Sequence, residues 1–213
     1  MLKLEGVETY YGRIKVLQGI SIEVPEGSIV AILGSNGAGK STILKVISGF
    51  IICDYGYIEF MGKRIENLDP HKIVKMGISQ VPEGRHTFDD LTVEENLKIA
   101  GEDISCALKV FPELRMLLRR KCKSLSGGER QKVMIARVFA QQPEILLLDE
   151  PTAHLDISSQ IEVMELVSKK VNEGLAAIIA IHDINLATSF CNRILMVKDG
   201  KICLLYTSPS PRD

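Results

Sequence analysis

Within nine consecutive residues, Gly34-Ser35-Asn36-Gly37-Ala38-Gly39-Lys40-Ser41-Thr42, the first eight have the spacing G-x-x-x-x-G-K-[ST]. Glycines let the backbone turn tightly, so that successive N–H groups face inward and can hold phosphate oxygens. Lys40 is expected to reach the β- and γ-phosphates of a nucleotide, and the Ser41 hydroxyl to bind Mg2+. A helix following the loop would aim its unpaired N–H groups and partial positive charge at the same anion. A flexible turn would account for the glycines alone. It would not account for the apolar run before them and the helical spacing after them.

A second constellation is Ile145-Leu146-Leu147-Leu148-Asp149-Glu150, an apolar strand ending in two carboxylates. In open α/β sheets, ligands bind at the carboxyl ends of strands. Asp149 is placed to hold Mg2+, directly or through water. Glu150 can lie near the γ-phosphate and polarise an attacking water. Without the phosphate loop, these would read equally well as ordinary surface acids.

The third is Leu125-Ser126-Gly127-Gly128-Glu129-Arg130-Gln131. Ser126 and Glu129 form an S-x-x-E capping box. Two glycines beside a free helix N-terminus also make a second anion site.

With these three segments in this order, the chain resembles the ATPases of ABC transporters. The resemblance implies that Ser126, Gly127, Gly128 and Glu129 meet the γ-phosphate held by another subunit, so that two head-to-tail chains sandwich two ATP molecules. It also implies that Tyr11 stacks on adenine and that His182 senses the γ-phosphate. Leu155 and Asp156, in the loop Ala153-His154-Leu155-Asp156, would contact the second subunit; His154 there is read as a tolerated variant. The family usually carries glutamine at an Mg2+-contacting switch loop. Here that slot holds Glu83, and Gln80 lies three residues too early, inside an expected strand. Glutamate also offers Mg2+ an oxygen ligand.

The elements that must position these residues follow from pattern. Loose alternation over Leu2–Val7 and Ile20–Val24 predicts two early strands. Ser28–Leu33 is a continuous apolar run, as in a strand buried on both faces. Further strands are expected at Tyr57–Phe60, Ile78–Val81, Ile145–Leu148, Ala176–Ile181 and Ile194–Val197. Helices are expected at Ser41–Ser48, Val93–Ala100, Ala107–Arg120, Glu129–Gln141, Ser158–Val171 and Ile184–Phe190. Strands alternating with helices imply an α/β fold with a mostly parallel sheet. The reading is therefore a P-loop NTPase core with N-terminal antiparallel strands, covering 1–83 and 143–202, and an inserted helical subdomain, 84–142. Residues 203–213 (CLLYTSPSPRD) do not continue the pattern and are read as a tail outside the fold.

Composition excludes several classes. The 213 residues suit one domain, with 46% hydrophobic and 25% charged residues. A net charge of −1 lacks the basic surplus of a nucleic-acid binder. Five scattered cysteines form no C-x-x-C pair, so neither a zinc nor a redox motif is indicated. No apolar run approaches the ~20 residues needed to span a bilayer. A membrane role would come through partners. The resemblance supplies them: a second ATPase subunit (the same chain or a related one), permease subunits and an extracytoplasmic solute-binding protein. The chain would then sit at the cytoplasmic face of the membrane.

The expected cargo also comes from resemblance. Tyr10-Tyr11-Gly12, Gly77 to Arg85 (GISQVPEGR) and Leu91 to Leu97 (LTVEENL) resemble the ATPases of branched-chain amino acid importers. Gly128 to Leu166 and His182 to Ala187 (HDINLA) resemble those of siderophore and cobalamin importers. Because the switch loop lies where the family contacts its membrane subunits, amino acids are favoured. A soluble ABC ATPase acting on ribosomes or DNA would bring a second cassette or long coiled coils. A P-loop metabolite kinase would not need Ser126-Gly127-Gly128.

Overall fold

The computed structural model describes residues 1–84, 87–153 and 155–207. Arg85, His86, His154 and residues 208–213 lie outside them. Two sheets carry the fold. Strands β1 (Leu2–Tyr11), β2 (Ile14–Val24), β4 (Tyr55–Phe60) and β5 (Lys63–Arg64) form an antiparallel sheet in the order β2-β1-β4-β5. Strands β3 (Ile29–Leu33), β6 (Ile78–Val81), β7 (Ile145–Asp149), β8 (Ala176–Ile181), β9 (Arg193–Lys198) and β10 (Lys201–Thr207) form the second, ordered β10-β9-β3-β8-β7-β6. All its neighbours are parallel except β10, which runs antiparallel to β9.

The continuous apolar runs are explained by what covers this sheet. Ile29, Ala31 and Leu33 of β3, with Leu146 and Leu148 of β7, face a core shared with helices α5 (Gly127–Ala140) and α6 (Ile157–Asn172). Val30 and Ile32, with Ile145 and Leu147, face α1 (Lys40–Ile47) and the antiparallel sheet. Side chains alternate between the faces and both faces are buried, so no polar alternation survives. Within α1, Ile43, Leu44 and Ile47 are fully buried, each contributing about 1.5–3 kcal/mol.

The middle of the chain is helical, as expected, but its first two pieces are shorter. Val93–Lys98 (α3) starts in a capping box made by Thr92 and Glu95. The expected continuous helix over Ala107–Arg120 is instead α4 (Ser105–Val110) followed by a 3-10 segment, Pro112–Leu117. Pro112 has no N–H to continue the ladder and disfavours helical geometry at Phe111, whose ψ is 82°. Helix α5 begins at Gly127 because Ser126 is its cap.

Further elements differ from the sequence pattern. The helix α2 (Pro70–Lys75) has no expected counterpart, although Asp69 before Pro70 is a helix-start signal. The first two strands extend to Tyr11 and back to Ile14, with register shifts between Leu4 and Val7 and on to Glu8 that interrupt the alternation. Strand β10 runs on to Thr207, past Ile202, where the pattern ends. Cys203–Thr207 is a β-prone run whose residues are mostly exposed, so pairing with β9 holds it without alternation. The last helix, α7 (Ile184–Phe190), lies between β8 and β9.

Candidate functional site

Register brings the site together. Leu33 of β3 lies opposite Ile181 of β8, and Asp149 of β7 opposite Ala180 of β8. Val81 of β6 lies opposite Leu148 of β7. Four parallel strands thus end on one edge of the sheet, and the chain leaves them into Gly34, Glu83, Glu150 and His182. A cavity of about 380 Å3 sits there, lined by Ser35, Asn36, Gly37, Gly39, Lys40, Ser41, Thr42, Glu83 and Glu150.

The phosphate loop joins β3 to α1 by backbone conformations that favour glycine. Gly39 caps α1 with a φ of 111°. At Gly34 any Cβ would collide with the carbonyl oxygen of Val197 on β9. Lys40 is only 5% exposed. Its Nζ donates to Gly34 O at 2.9 Å and to Ser35 O at 3.4 Å, and lies 3.3 Å from Glu150 Oε1. The ammonium is held inside its own loop, where an anion entering the cavity would meet it.

Ser41 and Asp149 meet across 108 positions of sequence, with Ser41 Oγ donating to Asp149 Oδ1 at 2.9 Å. Asp149 is 2% exposed. Burial pushes its carboxyl above the usual range; the Ser41 bond opposes this, and the charges of Glu83 and Glu150 add to it. Glu83 therefore shares the electrostatic field of Asp149. Gln80 is engaged elsewhere: on β6, its Oε1 accepts from Ser48 Oγ at the end of α1, at 2.6 Å.

The residues fit a divalent cation with a polyphosphate. The donors are hard oxygens, which suit Mg2+. The carboxylates of Asp149, Glu150 and Glu83 outnumber the ammonium groups of Lys40 in the cavity and Lys45 beside Asp149, and a nucleotide adds further negative charge. Among the described residues no three His, Cys, Asp or Glu side chains form a metal cage. The protein would supply part of the coordination, phosphate and water the rest.

Glu150 has a φ of 48°, uncommon for a residue with a side chain. Its N–H donates to Ala180 O at 2.9 Å, and its own carbonyl accepts from Ala153 N at 3.1 Å. The carboxylate is thereby turned into the cavity edge, with Lys40 on Oε1 and His182 Nδ1 3.2 Å from Oε2. His182 is 60% exposed and open to a ligand on its other side.

The remaining expected residues lie apart from this cavity. Ser126 to Glu129 do not line it. Ser126 Oγ accepts from Glu129 N at 3.3 Å, and Glu129 Oε2 from Ser126 N at 2.7 Å. That backbone bond, with the Ser126 hydroxyl, holds the Glu129 carboxyl below its usual range. Tyr11 stands exposed at the end of β1, on the hairpin whose Leu17 packs against Gly39. Asp156 caps α6, accepting from Ser159 N at 3.0 Å, and Leu155 packs against the core. One further link is absent from the sequence reading. Gln131 Nε2 donates to Pro151 O at 2.9 Å, tying α5 to the turn after Glu150. Its signal is a polar residue in line with the buried Met134, Ile135 and Val138.

A phosphate loop opening a helix, beside an acidic strand end in a parallel sheet, defines a P-loop nucleotide-binding ATPase. The sequence profile described as ABC transporter matches residues 17–153, and the chain belongs to that family as an ATP-binding domain. It is 34% identical, over all of its length and 98% of the relative, to a high-affinity branched-chain amino acid transport ATP-binding protein of Pseudomonas aeruginosa. It is 36% identical, over 87% of its length and 74% of the relative, to a petrobactin import ATP-binding protein of Bacillus anthracis. A solved dimeric ATP-binding cassette in a post-hydrolysis state with ADP and Pi superposes with a TM-score of 0.86 at 30% identity, covering 99% of this chain and all of that one.

Proposed function

We propose that the chain is the ATP-hydrolysing subunit of an importer for branched-chain or other amino acids, acting as a pair of such chains beneath membrane-embedded permease subunits. The observation that carries the catalytic part is the Glu150 carboxylate, held between Lys40 and His182 at the edge of the phosphate cavity. The loop N–H groups and Lys40 bind the β- and γ-phosphates, and Tyr11 stacks on the base. Ser41 and Asp149, with Glu83, would hold Mg2+. The cation offsets phosphate charge when bound. Glu150 accepts a proton from the attacking water, and His182 orients that carboxylate and the γ-phosphate. Lys40 stabilises charge on the transferred phosphoryl group.

In this reading Ser126–Glu129 and the segment around Leu155 and Asp156 face the second subunit. Its nucleotide meets the free N–H groups at the start of α5. ATP then favours the closed pair, and loss of the bridging phosphate lets it open. Among the described residues no helix is long and apolar enough to cross a membrane. Attachment to the cytoplasmic face through permeases suits that, and an extracytoplasmic solute-binding protein would deliver the cargo.

The whole-length similarity to a branched-chain amino acid transport protein and the segment around Glu83 support amino acids as cargo. The petrobactin relative keeps siderophores or cobalamin as the second reading. The test is uptake. In a strain lacking its branched-chain amino acid ATP-binding subunit, this chain should restore uptake of labelled leucine. Restored ferric-siderophore uptake in the matching strain, without leucine uptake, would assign the second cargo.

A further inference from the structure

Gln131 is the polar member of an apolar stripe. It is 6% exposed and lies on the α5 face that also carries Met134, Ile135 and Val138. Burying an amide there costs free energy unless its groups are bonded. Its Nε2 meets that need by donating to Pro151 O at 2.9 Å, in a bond closed to solvent.

Pro151 directly follows Glu150, whose left-handed backbone is strained for a residue with a side chain and persists only where its surroundings hold it. Two of the restraints are local to the strand end: Glu150 N on Ala180 O, and Ala153 N on Glu150 O. The third comes from a different element. Pro151 has no N–H, so its carbonyl is the only main-chain group by which that residue can be tied by hydrogen bonding. Gln131 occupies it.

We infer that Gln131 is a positioning residue for Glu150, and that its bond makes α5 a link between two nucleotide sites. This rests on the roles proposed above for Glu150 and for the first turn of α5. That first turn meets the nucleotide held by the partner subunit. Five residues beyond Ser126, the same helix restrains the backbone that aims the carboxylate of its own site. A shift of α5 on engaging the partner's nucleotide therefore reaches Glu150 through one buried hydrogen bond.

The experiment is Gln131→Met in the full chain, which keeps the side-chain length and removes the donor. We expect kcat for ATP to fall about tenfold, with KM changed by less than about twofold. The Hill coefficient for ATP should fall towards unity. ATP-driven dimerisation of a Glu150→Gln chain should be unchanged when Gln131→Met is added. Residual turnover of Glu150→Gln should also show no further loss on adding Gln131→Met, because both changes act through one carboxylate. An unchanged kcat would overturn the inference, as would an undiminished tenfold loss in the Glu150→Gln background. Full activity of Glu150→Gln alone would instead remove the assigned role of Glu150, and the inference with it. If Gln131→Met does not fold, Gln131→Asn keeps the amide but shortens its reach, and the same kcat-against-KM split decides.

Discussion

Ser41 Oγ and Asp149 Oδ1 are joined at 2.9 Å, linking the first turn of α1 to the last residue of β7. The pair places a hydroxyl and a carboxylate oxygen side by side beneath the phosphate loop. It also buries a carboxylate among other acids, and burial is what raises the Asp149 pKa most.

That has a consequence for stability. A group whose folded-state pKa is raised favours the fold when protonated, and this support is lost as pH rises through the folded-state value. Ionisation of Asp149 therefore opposes folding. Asp149→Asn should melt higher than the parent chain, with a gap that widens from acid to neutral pH, while ATP hydrolysis is lost. Thermal melts of both chains at pH 4 to 8 check this. A lower-melting variant at neutral pH would contradict it.

Lys40 carries the positive charge of the cavity. A hydrogen bond to a charged group contributes about 1.5–3 kcal/mol. Lys40→Ala should therefore raise the ADP dissociation constant by roughly ten- to 150-fold. Calorimetric titration with ADP measures it directly. An unchanged constant would mean that the ammonium stays bonded to Gly34 O and Ser35 O when nucleotide enters.

Gly34 lies against the Val197 carbonyl of β9, with no room for a Cβ. Gly34→Ala must push the loop or the strand aside. It should lower the melting temperature and weaken phosphate binding together, unlike Lys40→Ala, which acts mainly on binding. Parallel melts and ADP titrations separate the two.

Ser126 caps α5 and is proposed to face the partner subunit, and substitutions can divide the two. Ser126→Ala removes the cap of α5 and should cost about 0.5–2 kcal/mol of stability. Denaturant unfolding reads that loss. Ser126→Arg loses the same cap and adds bulk and charge at the face proposed to meet the partner. It should abolish ATP-driven dimerisation while leaving ADP binding by the isolated chain within about twofold, because this segment does not line the chain's own cavity.

Much of this was legible in the residues, for physical reasons. The loop from Gly34 to Thr42 declares itself because phosphate binding demands particular residue types at fixed spacing. The strands ending at Leu33, Asp149 and Ile181 are legible because burial on both faces leaves unbroken apolar runs. Glu83 could be placed by counting back from Leu91, and it does line the phosphate cavity. What could not be read depends on contacts between distant positions. The bonds Ser48 to Gln80 and Gln131 to Pro151 join residues 32 and 20 apart. No local pattern encodes the partner, only the oddity of a polar residue on a buried face. The break at Pro112 was available from proline chemistry, but the helical periodicity around it outweighed that signal. The exposed strand β10 lacks the alternation that marks a half-buried strand, so only its pairing with β9 reveals it.

In the proposed cycle two chains close on ATP, and Glu150 then promotes its hydrolysis. Light scattering on the Glu150→Gln chain, with and without Mg-ATP, tests it most directly. A monomer is expected without nucleotide and a dimer with it, because bound ATP can no longer be turned over. A chain that binds Mg-ATP and remains a monomer would contradict the claim that its own copies form the closed pair.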